Sequence, residues 1–441
     1  MRILLISPCV DPETRTPKGI MIPQLSLHIL YGLTPTGYTV KIIEEELGDI
    51  NFDEECDLIG IGCMTANAPR AYFIAQQFRK RGKKVVLGGV HPTILPNEAL
   101  NYADSVVIGE AEGVWEQLLE DFKNGKLKRT YQVKNPSLER YICTKSKISP
   151  KKRLFNIIPI MTTRGCPYDC EFCCVHDLFG KRLRHAPVKN VVRDIEEFNG
   201  KTFMFLDDNI IGNPKYAKEL FTAIKPLNIK WAGQASISFS KNIELMKLAR
   251  ESGCGALFFG LETVSKDQLG KMRKSIKDIN ELEEAIKKIK DIGIHFHASM
   301  VFGFDDDTKN TFYETLQFLN KNKIGTASFN ILTPYPGTKL YDRLKRENRI
   351  LTEDWKYYDH NTVVFKPEIL TPKELHEGRI WIKKEFTKIS STLRRLPYNL
   401  SHPLLHLALN IGARKSTKDE INNLSKMNSK LFHIEMLAKV K

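Results

Sequence analysis

Four of the nine cysteines lie within nine positions of the segment TTRGCPYDCEFCCVHD, residues 162–177. Three of them, Cys166, Cys170 and Cys173, have the spacing C-x3-C-x2-C, and Cys174 follows directly. Thiols at this spacing can form a disulfide, hold a zinc ion, hold an iron–sulfur cluster, or have no chemical role. The rest of the chain must decide among these.

Two other features of the sequence bear on that choice. The apolar stretch in the opening MRILLISPCVDPETR is too short for a signal peptide, so we expect a cytoplasmic, reducing location. In such a location clustered thiols are more often metal ligands than disulfides. Structural zinc usually takes two separated ligand pairs, and Cys254 is isolated. A [4Fe–4S] cluster with three thiolates keeps one iron open, as catalysis requires. We favour this cluster, with zinc or inert thiols as the alternatives.

Length and charge limit the organisation of the chain. Its 441 residues predict two or three domains, and no apolar run approaches the roughly 20 residues that span a bilayer. The formal charge is +15, and residues 379–441 contain 13 Lys/Arg against 4 Asp/Glu. This basic balance favours anionic partners such as lipid headgroups, phosphorylated substrates, nucleic acid or an acidic electron donor.

The first 125 residues alternate strand and helix signals. Five short apolar runs predict an open, doubly wound parallel sheet: RILLIS, TVKIIEE, CDLIGIGCMT, KKVVLGG and DSVVIGE. Ligands of such sheets bind beyond the carboxyl ends of the strands, which here carry the sequences MTANAP, GGVHPT and GEAEG. No GxGxxG motif follows the first strand, which argues against a nicotinamide cofactor.

After a basic segment the alternation resumes with a longer period. Six strand candidates separated by helices predict a partial (β/α)6 barrel with its site at the carboxyl ends of the strands. Beyond it, Ile382, Phe386, Ile389, Leu393 and Leu396 predict one amphipathic helix. The predicted α/β architecture is thus an N-terminal Rossmann-like domain (1–130), a basic linker (131–152), the barrel (153–346) and a mainly helical C-terminal domain (347–441).

The segment RGCPYDCEFCCV resembles the signature of the radical S-adenosylmethionine (SAM) enzymes. In that family, three cysteines hold a [4Fe–4S] cluster whose open iron binds SAM, and one electron cleaves SAM to methionine and a 5′-deoxyadenosyl radical. The resemblance implies that Cys166, Cys170 and Cys173 ligate the cluster, whereas Cys174 lies outside the triplet. It also implies a set of SAM-binding candidates, which are Phe172, Asp207, Asp208, Asn209, Gln234, Glu262 and Ser299.

Two parts of this second domain are less specific. The segment FLDDN stands where the family has an acidic strand-two motif, but the usual Gly-Gly-Glu is absent. His295 and His297 alternate in one predicted strand and therefore share a face. They are candidates for proton handling, with packed or solvated histidines as the alternative.

The N-terminal domain resembles the cobalamin-binding domain that is fused to many radical SAM enzymes. The resemblance rests on GIGCMTANAPRAY, VVLGGVHPTILPNEAL and VVIGEAEGVWEQLLEDF, and the C-terminal part resembles a branch that includes enzymes acting on hopanoid lipids. The cobalamin mutases' D-x-H-x-x-G motif is absent, which implies a corrinoid held without a protein histidine. The cobalamin-binding candidates are Thr65, Gly88, Gly89, His91, Gly109 and Glu110.

These features predict a radical SAM enzyme that methylates an unactivated carbon of a hydrophobic or natural-product substrate, using cobalamin. One alternative is cyclisation, oxidation or carbon–carbon coupling, with a vestigial or electron-carrying B12 domain. Another is a non-catalytic iron–sulfur or cobalamin sensor. We expect a low-potential electron donor of the flavodoxin or ferredoxin type and no nucleic acid. The basic C-terminal region is expected either to touch a membrane peripherally or to cap the barrel.

Overall fold

A computed structural model describes residues 1–13, 15, 22–139, 157–198, 202–265, 268 and 278–422. The chain divides into two compact units. Unit 1 comprises residues 1–167 and 174–207, and unit 2 comprises residues 168–173 and 208–441. Most of the predicted basic linker, residues 140–152, lies outside the described residues.

Unit 1 begins with a six-stranded parallel sheet of order β2-β1-β3-β4-β5-β6. Its strands are β1 (Arg2–Ser7), β2 (Thr39–Glu44), β3 (Leu58–Gly62), β4 (Lys84–Gly88), β5 (Ser105–Gly109) and β6 (Thr130–Val133). The helices of this part are α1 (Leu25–Leu33), α2 (Ala68–Lys80), α3 (Val90–Ile94), α4 (Pro96–Ala99) and α5 (Trp115–Lys123). The predicted doubly wound sheet is confirmed.

Side chains from the two faces of this sheet pack into two separate apolar cores. Leu4 and Ile6 pack into the core that includes Phe78 of α2, whereas Ile3 and Leu5 pack into the core that contains much of α5. Side chains of a strand alternate between faces, so a strand that is buried on both sides reads as a continuous apolar run. This is why the apolar run RILLIS predicts a strand of this sheet. The sixth strand, β6, was missed because TYQV lacks such a run.

The remainder of unit 1 holds the beginning of the predicted barrel. It contains β7 (Ile158–Ile160), β8 (Thr163–Arg164), α6 (Val175–Phe179), β9 (Arg184–His185), α7 (Val188–Glu197) and β10 (Thr202–Phe205). Strands β7 and β10 pair in parallel, and the short strands β8 and β9 pair in antiparallel fashion. Two of the six predicted barrel strands are therefore accounted for here.

Unit 2 contains the other four predicted barrel strands, paired in parallel in the order β11-β12-β13-β14. These strands are β11 (Lys230–Ala235), β12 (Cys254–Glu262), β13 (His295–Phe302) and β14 (Thr326–Ile331). The helices between and after them are α8 (Pro214–Ile224), α9 (Ile243–Glu251), α10 (Ile279–Asp291), α11 (Lys309–Lys321) and α12 (Lys339–Arg346). Strand–helix alternation with parallel pairing confirms the predicted partial-barrel class.

The C-terminal part of unit 2 is helical, as predicted, with α13 (Pro372–Phe386), α14 (Ile389–Arg395) and α15 (Pro403–Asn422). The prediction of one amphipathic helix over residues 382–396 is wrong, because α13 ends at Phe386. Arg395 donates to the Phe386 carbonyl at 2.8 Å and satisfies this helix end. The break leaves Ile382 buried but turns Ile389 and Leu393 out to the solvent. Within the described residues, no helix is long and apolar enough to cross a membrane.

Candidate functional site

A cavity of about 450 Å³ lies within unit 1 beyond the carboxyl ends of β3, β4 and β5. Each of these strands ends in a glycine that lines the cavity: Gly62, Gly88 and Gly109. Apolar side chains of α1 and Trp115 of α5 also line it. Four of the predicted cobalamin-binding residues are on the lining, namely Gly88, Gly89, Gly109 and Glu110.

Two of these glycines are required by the backbone itself. Gly89 has φ +101°, and a Cβ atom there would lie 2.6 Å from the Cys63 carbonyl oxygen. Gly109 has φ +83°, a conformation that residues with a Cβ rarely adopt, while the space around its Cα is open. The turns after β4 and β5 therefore bring bare backbone to the cavity.

Thr93 lines the same cavity and was missed by the sequence analysis. Its hydroxyl donates to the Gly89 carbonyl at 2.7 Å and accepts from the Gly109 amide at 2.9 Å. One side chain thus ties the two glycine turns together. The signal was the threonine that ends GGVHPT, in the first turn of a helix, where it can bond back to the preceding turn.

The other two cobalamin candidates, Thr65 and His91, are buried and do not line the cavity. The ring of His91 lies 3.4 Å from the Thr65 hydroxyl through Nδ1 and 3.2 Å from Glu98 Oε1 through Nε2. Both ring nitrogens are engaged within the protein. These two contacts hold the His91 ring within the protein, away from the cavity lining.

Three charged residues line the cavity, namely Arg164, Glu110 and Glu112. Together with Arg184, which pairs with Glu110, they form a group that we call the ion cluster. Arg164 pairs with both glutamates, and Arg184 pairs with Glu110 and donates to the Pro136 carbonyl at 2.8 Å. Burial opposes ionisation of Glu112, but the neighbouring Arg164 outweighs it and holds the pKa of Glu112 below its ordinary value. Glu112 therefore stays ionised and paired with Arg164 at neutral pH.

The cysteine loop, residues 165–174, follows directly on Arg164. Cys166, Cys170, Cys173 and Cys174 are all half-buried. In unit 1 the His176 ring donates to the Cys166 carbonyl at 2.9 Å, and in unit 2 the Cys173 amide donates to the Cys170 carbonyl at 3.1 Å. Accessible thiols on a backbone fixed by hydrogen bonds suit metal ligation.

Within unit 2, the second half of the cysteine loop is attached to α12. Lys339 pairs with Asp169 at 2.8 Å, and Arg343 Nε pairs with Glu171 at 2.7 Å. The predicted SAM contact Phe172 is half-buried, and its ring meets Phe304 edge to face at a centroid distance of 6.3 Å.

Asp207 is committed to the backbone of unit 1. Its Oδ1 accepts from the Thr162 amide at 3.0 Å, the Thr162 hydroxyl at 2.8 Å and the Thr163 hydroxyl at 2.6 Å. The side chain is fully buried, and burial raises the pKa of Asp207 despite these bonds. Asp207 therefore anchors the segment that leads to Cys166 and presents no exposed oxygen to a ligand. Its neighbour Asp208 is half-buried.

A row of polar and aromatic side chains follows the strands of unit 2. Gln234, Phe258, His297 and Thr326 are aligned in register across β11 to β14, and Gly260, Ser299 and Ser328 form the next level. Gln234 is exposed, whereas Ser299 is half-buried and accepts from Asn330 Nδ2 at 3.3 Å. Near the start of this row, Asn209 accepts from the Ser236 amide at 3.1 Å.

The two histidines of β13 share one hydroxyl. Thr326 Oγ1 lies 3.1 Å from His295 Nε2 and 2.9 Å from His297 Nδ1. Burial lowers the pKa of His295 to about 3 and that of His297 to about 4. Both imidazoles are therefore neutral at physiological pH and act there as hydrogen-bonding groups. The predicted common face is present, and the His297 ring also lies 4.5 Å from the Phe258 ring.

Glu262 ends β12 with φ +65°, next to an irregularity in its pairing with β13. A left-handed backbone at a residue with a Cβ costs roughly 1–2 kcal/mol. Such strain concentrates at sites where a side chain must be aimed. The half-buried Glu262 carboxylate remains a candidate for ligand contact on this ground.

The described geometry can be compared with known proteins. The radical SAM superfamily profile matches residues 160–319, and the B12 binding domain profile matches residues 31–119. Two proteins of Chlorobaculum tepidum align with 89% of this chain. Bacteriochlorophyllide d C-12(1)-methyltransferase is 32% identical over 406 residues, covering 89% of its length, and bacteriochlorophyllide d C-8(2)-methyltransferase is 33% identical over 413 residues, covering 91%. The chain belongs to the radical SAM superfamily.

More distant relatives of this radical SAM protein include an anaerobic magnesium-protoporphyrin IX monomethyl ester cyclase from Cereibacter sphaeroides. It is 25% identical over 442 residues, which cover 87% of this chain and 71% of the cyclase. Among solved structures, the cobalamin-dependent radical enzyme OxsB with aqua-cobalamin and SAM bound has a TM-score of 0.66 and 15% identity, covering 97% of this chain and 75% of OxsB. At that identity the likeness shows a common fold.

Membership confirms that this radical SAM protein is an enzyme whose cofactors are a [4Fe–4S] cluster, SAM and cobalamin. An enzyme of this superfamily needs an external reductant and acts on a small molecule. The chemistry of the residues present suits these groups, although no group of three potential metal ligands is assembled within the part of the chain that the structure describes. Half-buried thiols are the soft donors that iron–sulfur clusters require, and the glycine turns at the unit 1 cavity leave room where side chains would obstruct a large planar ligand.

Proposed function

We propose that this radical SAM enzyme is a cobalamin-dependent C-methyltransferase that acts on an unactivated carbon of a hydrophobic small molecule. One observation carries the proposal: the two methyltransferases of Chlorobaculum tepidum align with 89% of this chain and with 89% and 91% of their own lengths. Their names place a tetrapyrrole-like ring first among the substrate classes to test.

The bound groups would supply a 5′-deoxyadenosyl radical from SAM and a transferable methyl group from methylcobalamin. Cys166, Cys170 and Cys173 would ligate the cluster. The turns at Gly88, Gly89, Gly109 and Glu110, tied by Thr93, would receive the corrinoid, and the largely apolar wall of that cavity would keep water away from it.

Residues of unit 2 would bind SAM and the substrate. Phe172, Asp208, Asn209, Gln234, Glu262 and Ser299 remain the SAM-binding proposal, because they lie on the cysteine loop or at the carboxyl ends of β10 to β13. Asp207 is left out, since its oxygens are already used within unit 1. His295 and His297, neutral at physiological pH, would orient a substrate group rather than carry a charge to it.

The test uses the anaerobically purified enzyme with its cluster reconstituted, hydroxocobalamin, a chemical reductant and SAM labelled with deuterium in its methyl group. A bacteriochlorophyllide and a hopanoid would be supplied in separate reactions. We expect one of the two classes to yield a product that carries the labelled methyl group, only when cobalamin is present. Formation of 5′-deoxyadenosine with an unlabelled product would contradict the proposal.

A second outcome, ring formation, is favoured by the similarity to the anaerobic cyclase. The same reaction distinguishes it, because a cyclised product loses hydrogen and gains no label. The cyclase is less similar to this chain than the two methyltransferases are, so methyl transfer stands first.

We also propose a reductant of the flavodoxin or ferredoxin type, which is the acidic, low-potential class that a chain with a formal charge of +15 attracts. The predicted domain limits of 1–130, 131–152, 153–346 and 347–441 stand as part of the proposal. Peripheral contact with a membrane through the basic C-terminal region completes it.

A further inference from the structure

Helix α15 buries polar side chains while it exposes two of its large apolar ones. His406, Asn410 and Thr417 are its buried residues, whereas Leu404 is 80% exposed and Ile411 is 65% exposed. A helix of a water-soluble domain normally buries its apolar stripe. An inverted helix therefore indicates that something other than water meets the outer face.

The inverted orientation is fixed by specific hydrogen bonds. Asn410 Nδ2 donates to the Gly325 carbonyl at 3.0 Å, and its Oδ1 accepts from the buried Arg395 at 3.1 Å. The His406 ring donates to the Thr392 carbonyl at 3.2 Å. Rotating α15 to bury Leu404 would leave these buried polar groups without their hydrogen bonds, which is unfavourable.

The outward apolar side chains continue along the chain before α15. We call the whole set the C-terminal apolar face, and it comprises Trp381, Ile389, Leu393, Tyr398, Leu400, Leu404 and Ile411, each at least 40% exposed. Residues 381–418 contain eight Lys/Arg and a single acidic residue, Glu385. The exposed cations among them are Lys384, Lys388, Arg394, Lys415 and Lys418.

We propose that the C-terminal apolar face docks this enzyme on the surface of a bilayer that contains anionic lipid. Charge complementarity selects this occupant, because the cations around the face attract anionic headgroups, while a tyrosine and a tryptophan have the amphipathic rings that settle at headgroup depth. A second copy of the chain would bring the same cations against themselves. The inference sharpens the membrane contact proposed above and rests on it.

The position of the face separates docking from catalysis. His402 donates to the Gly293 carbonyl at 3.0 Å, and Asn410 donates to that of Gly325, so α15 is attached to the turns that precede β13 and β14. The candidate SAM-binding residues of these strands lie toward the opposite, carboxyl ends. Docking would therefore hold the enzyme at the membrane without altering its site.

The experiment measures co-flotation of the full-length holoenzyme with vesicles. Two compositions are compared, phosphatidylcholine alone and phosphatidylcholine mixed with phosphatidylglycerol, each at low and high salt. The wild-type enzyme should float with the anionic vesicles and lose part of that binding at high salt. The double variant Leu404→Ser/Ile411→Ser should bind at least about tenfold more weakly, because two apolar side chains are then lost from the surface that meets the bilayer.

The matched control is Ile243→Ser/Tyr313→Ser, two side chains of α9 and α11 that are each 51% exposed outside the face. It should float like the wild type. Equal loss in both variants, absence of wild-type binding to either vesicle, or a concentration-dependent dimer that only Leu404→Ser/Ile411→Ser abolishes would overturn the proposal.

Cleavage of SAM by each variant is recorded in parallel and should be unchanged. This readout keeps the two proposals apart: vesicle binding without methyl transfer rejects only the proposed function, and methyl transfer without vesicle binding rejects only the docking surface.

Discussion

The two units bury polar groups around their candidate sites in opposite ways. In unit 1 the ion cluster is charged and paired, since Arg164 meets Glu110 and Glu112. In unit 2 the polar groups of the row along β13 and β14 are neutral, with His295 and His297 on either side of a threonine hydroxyl.

The difference predicts how each region fails. Removing one partner of a buried ion pair leaves an uncompensated charge, which costs about 3–5 kcal/mol, whereas a neutral group left without its hydrogen bond costs about 1–3 kcal/mol. Exposed ion pairs contribute about 0–1 kcal/mol. The ion cluster of unit 1 should thus tolerate substitution least, and the exposed ion pairs of unit 2 should tolerate it best.

The comparison between the units does not extend to the cysteine loop, because its cysteines belong to both units. The largest effects are expected here. We expect Cys166→Ala, Cys170→Ala and Cys173→Ala each to abolish SAM cleavage, since a cluster with an open iron needs all three thiolates. Cys174→Ala is the matched control and should retain activity. Production of 5′-deoxyadenosine by anaerobically reconstituted Cys166→Ala would show that the ligand assignment is wrong.

Arg164→Met removes one arginine of the ion cluster in unit 1. It leaves Glu112 without its guanidinium partner, so the free energy of unfolding should fall by about 3–5 kcal/mol. Denaturant unfolding of the cofactor-free chain measures this loss. A decrease of less than about 1 kcal/mol, the value expected of an exposed pair, would remove the distinction between the two regions.

Lowering the pH tests the neutral histidines of unit 2. The pKa of His295 is about 3 in the folded chain against an ordinary 6.5, so below pH 6.5 the unfolded chain binds a proton that the folded chain refuses. Stability is therefore lost as the pH falls from 6.5 toward 3, by about 2 kcal/mol at pH 5. In His295→Gln the difference between unfolding free energies at pH 7 and pH 5 should shrink by that amount, and an unchanged difference would refute the assignment.

Thr326→Val removes the shared hydroxyl and keeps the shape of the side chain. Two ring nitrogens then lose a partner, and we expect a loss of about 1–3 kcal/mol at pH 7. A hydroxyl has one hydrogen, so it can donate to only one of the two imidazoles. When it donates to one ring and accepts from the other, the contacts through His295 Nε2 and His297 Nδ1 give both rings the same tautomer. Nitrogen chemical shifts of His295 and His297 should therefore report the same tautomer in the wild type, and two different tautomers would contradict this donor–acceptor arrangement.

Lys339→Met removes an exposed ion pair, for which we expect the smallest loss of stability. The Lys339 side chain is 66% exposed where it pairs with Asp169, so its loss should change the unfolding free energy by no more than about 1 kcal/mol. The iron content after reconstitution should also match the wild type. A large effect would mean that this exposed pair supports the cysteine loop more than its accessibility suggests.

The elements of the fold were predictable where the signal is local. Continuous apolar runs such as RILLIS identify strands buried on both faces, and the C-x3-C-x2-C spacing needs no tertiary information. The carboxyl ends of the strands also brought Gly88, Gly89 and Gly109 to the cavity as expected. These features depend on a few consecutive residues, which the sequence displays directly.

What failed depends on partners distant in sequence. His91 sits in the expected loop, but it points toward Thr65 and Glu98 rather than into the cavity. Asp207 has the chemistry of a ligand, yet the segment at residues 162–163 uses its oxygens. The predicted helix over 382–396 is interrupted because Arg395 supplies a donor to the end of α13. No periodicity encodes these contacts.

Because Glu262 has a left-handed backbone, a substitution there that raises stability is expected to lower turnover. A selection for heat resistance alone should favour glycine at this position, because glycine adopts that conformation without strain. If the carboxylate contacts SAM as proposed, the same replacement would slow the enzyme, so libraries screened only for thermal tolerance would enrich sturdier but poorer catalysts.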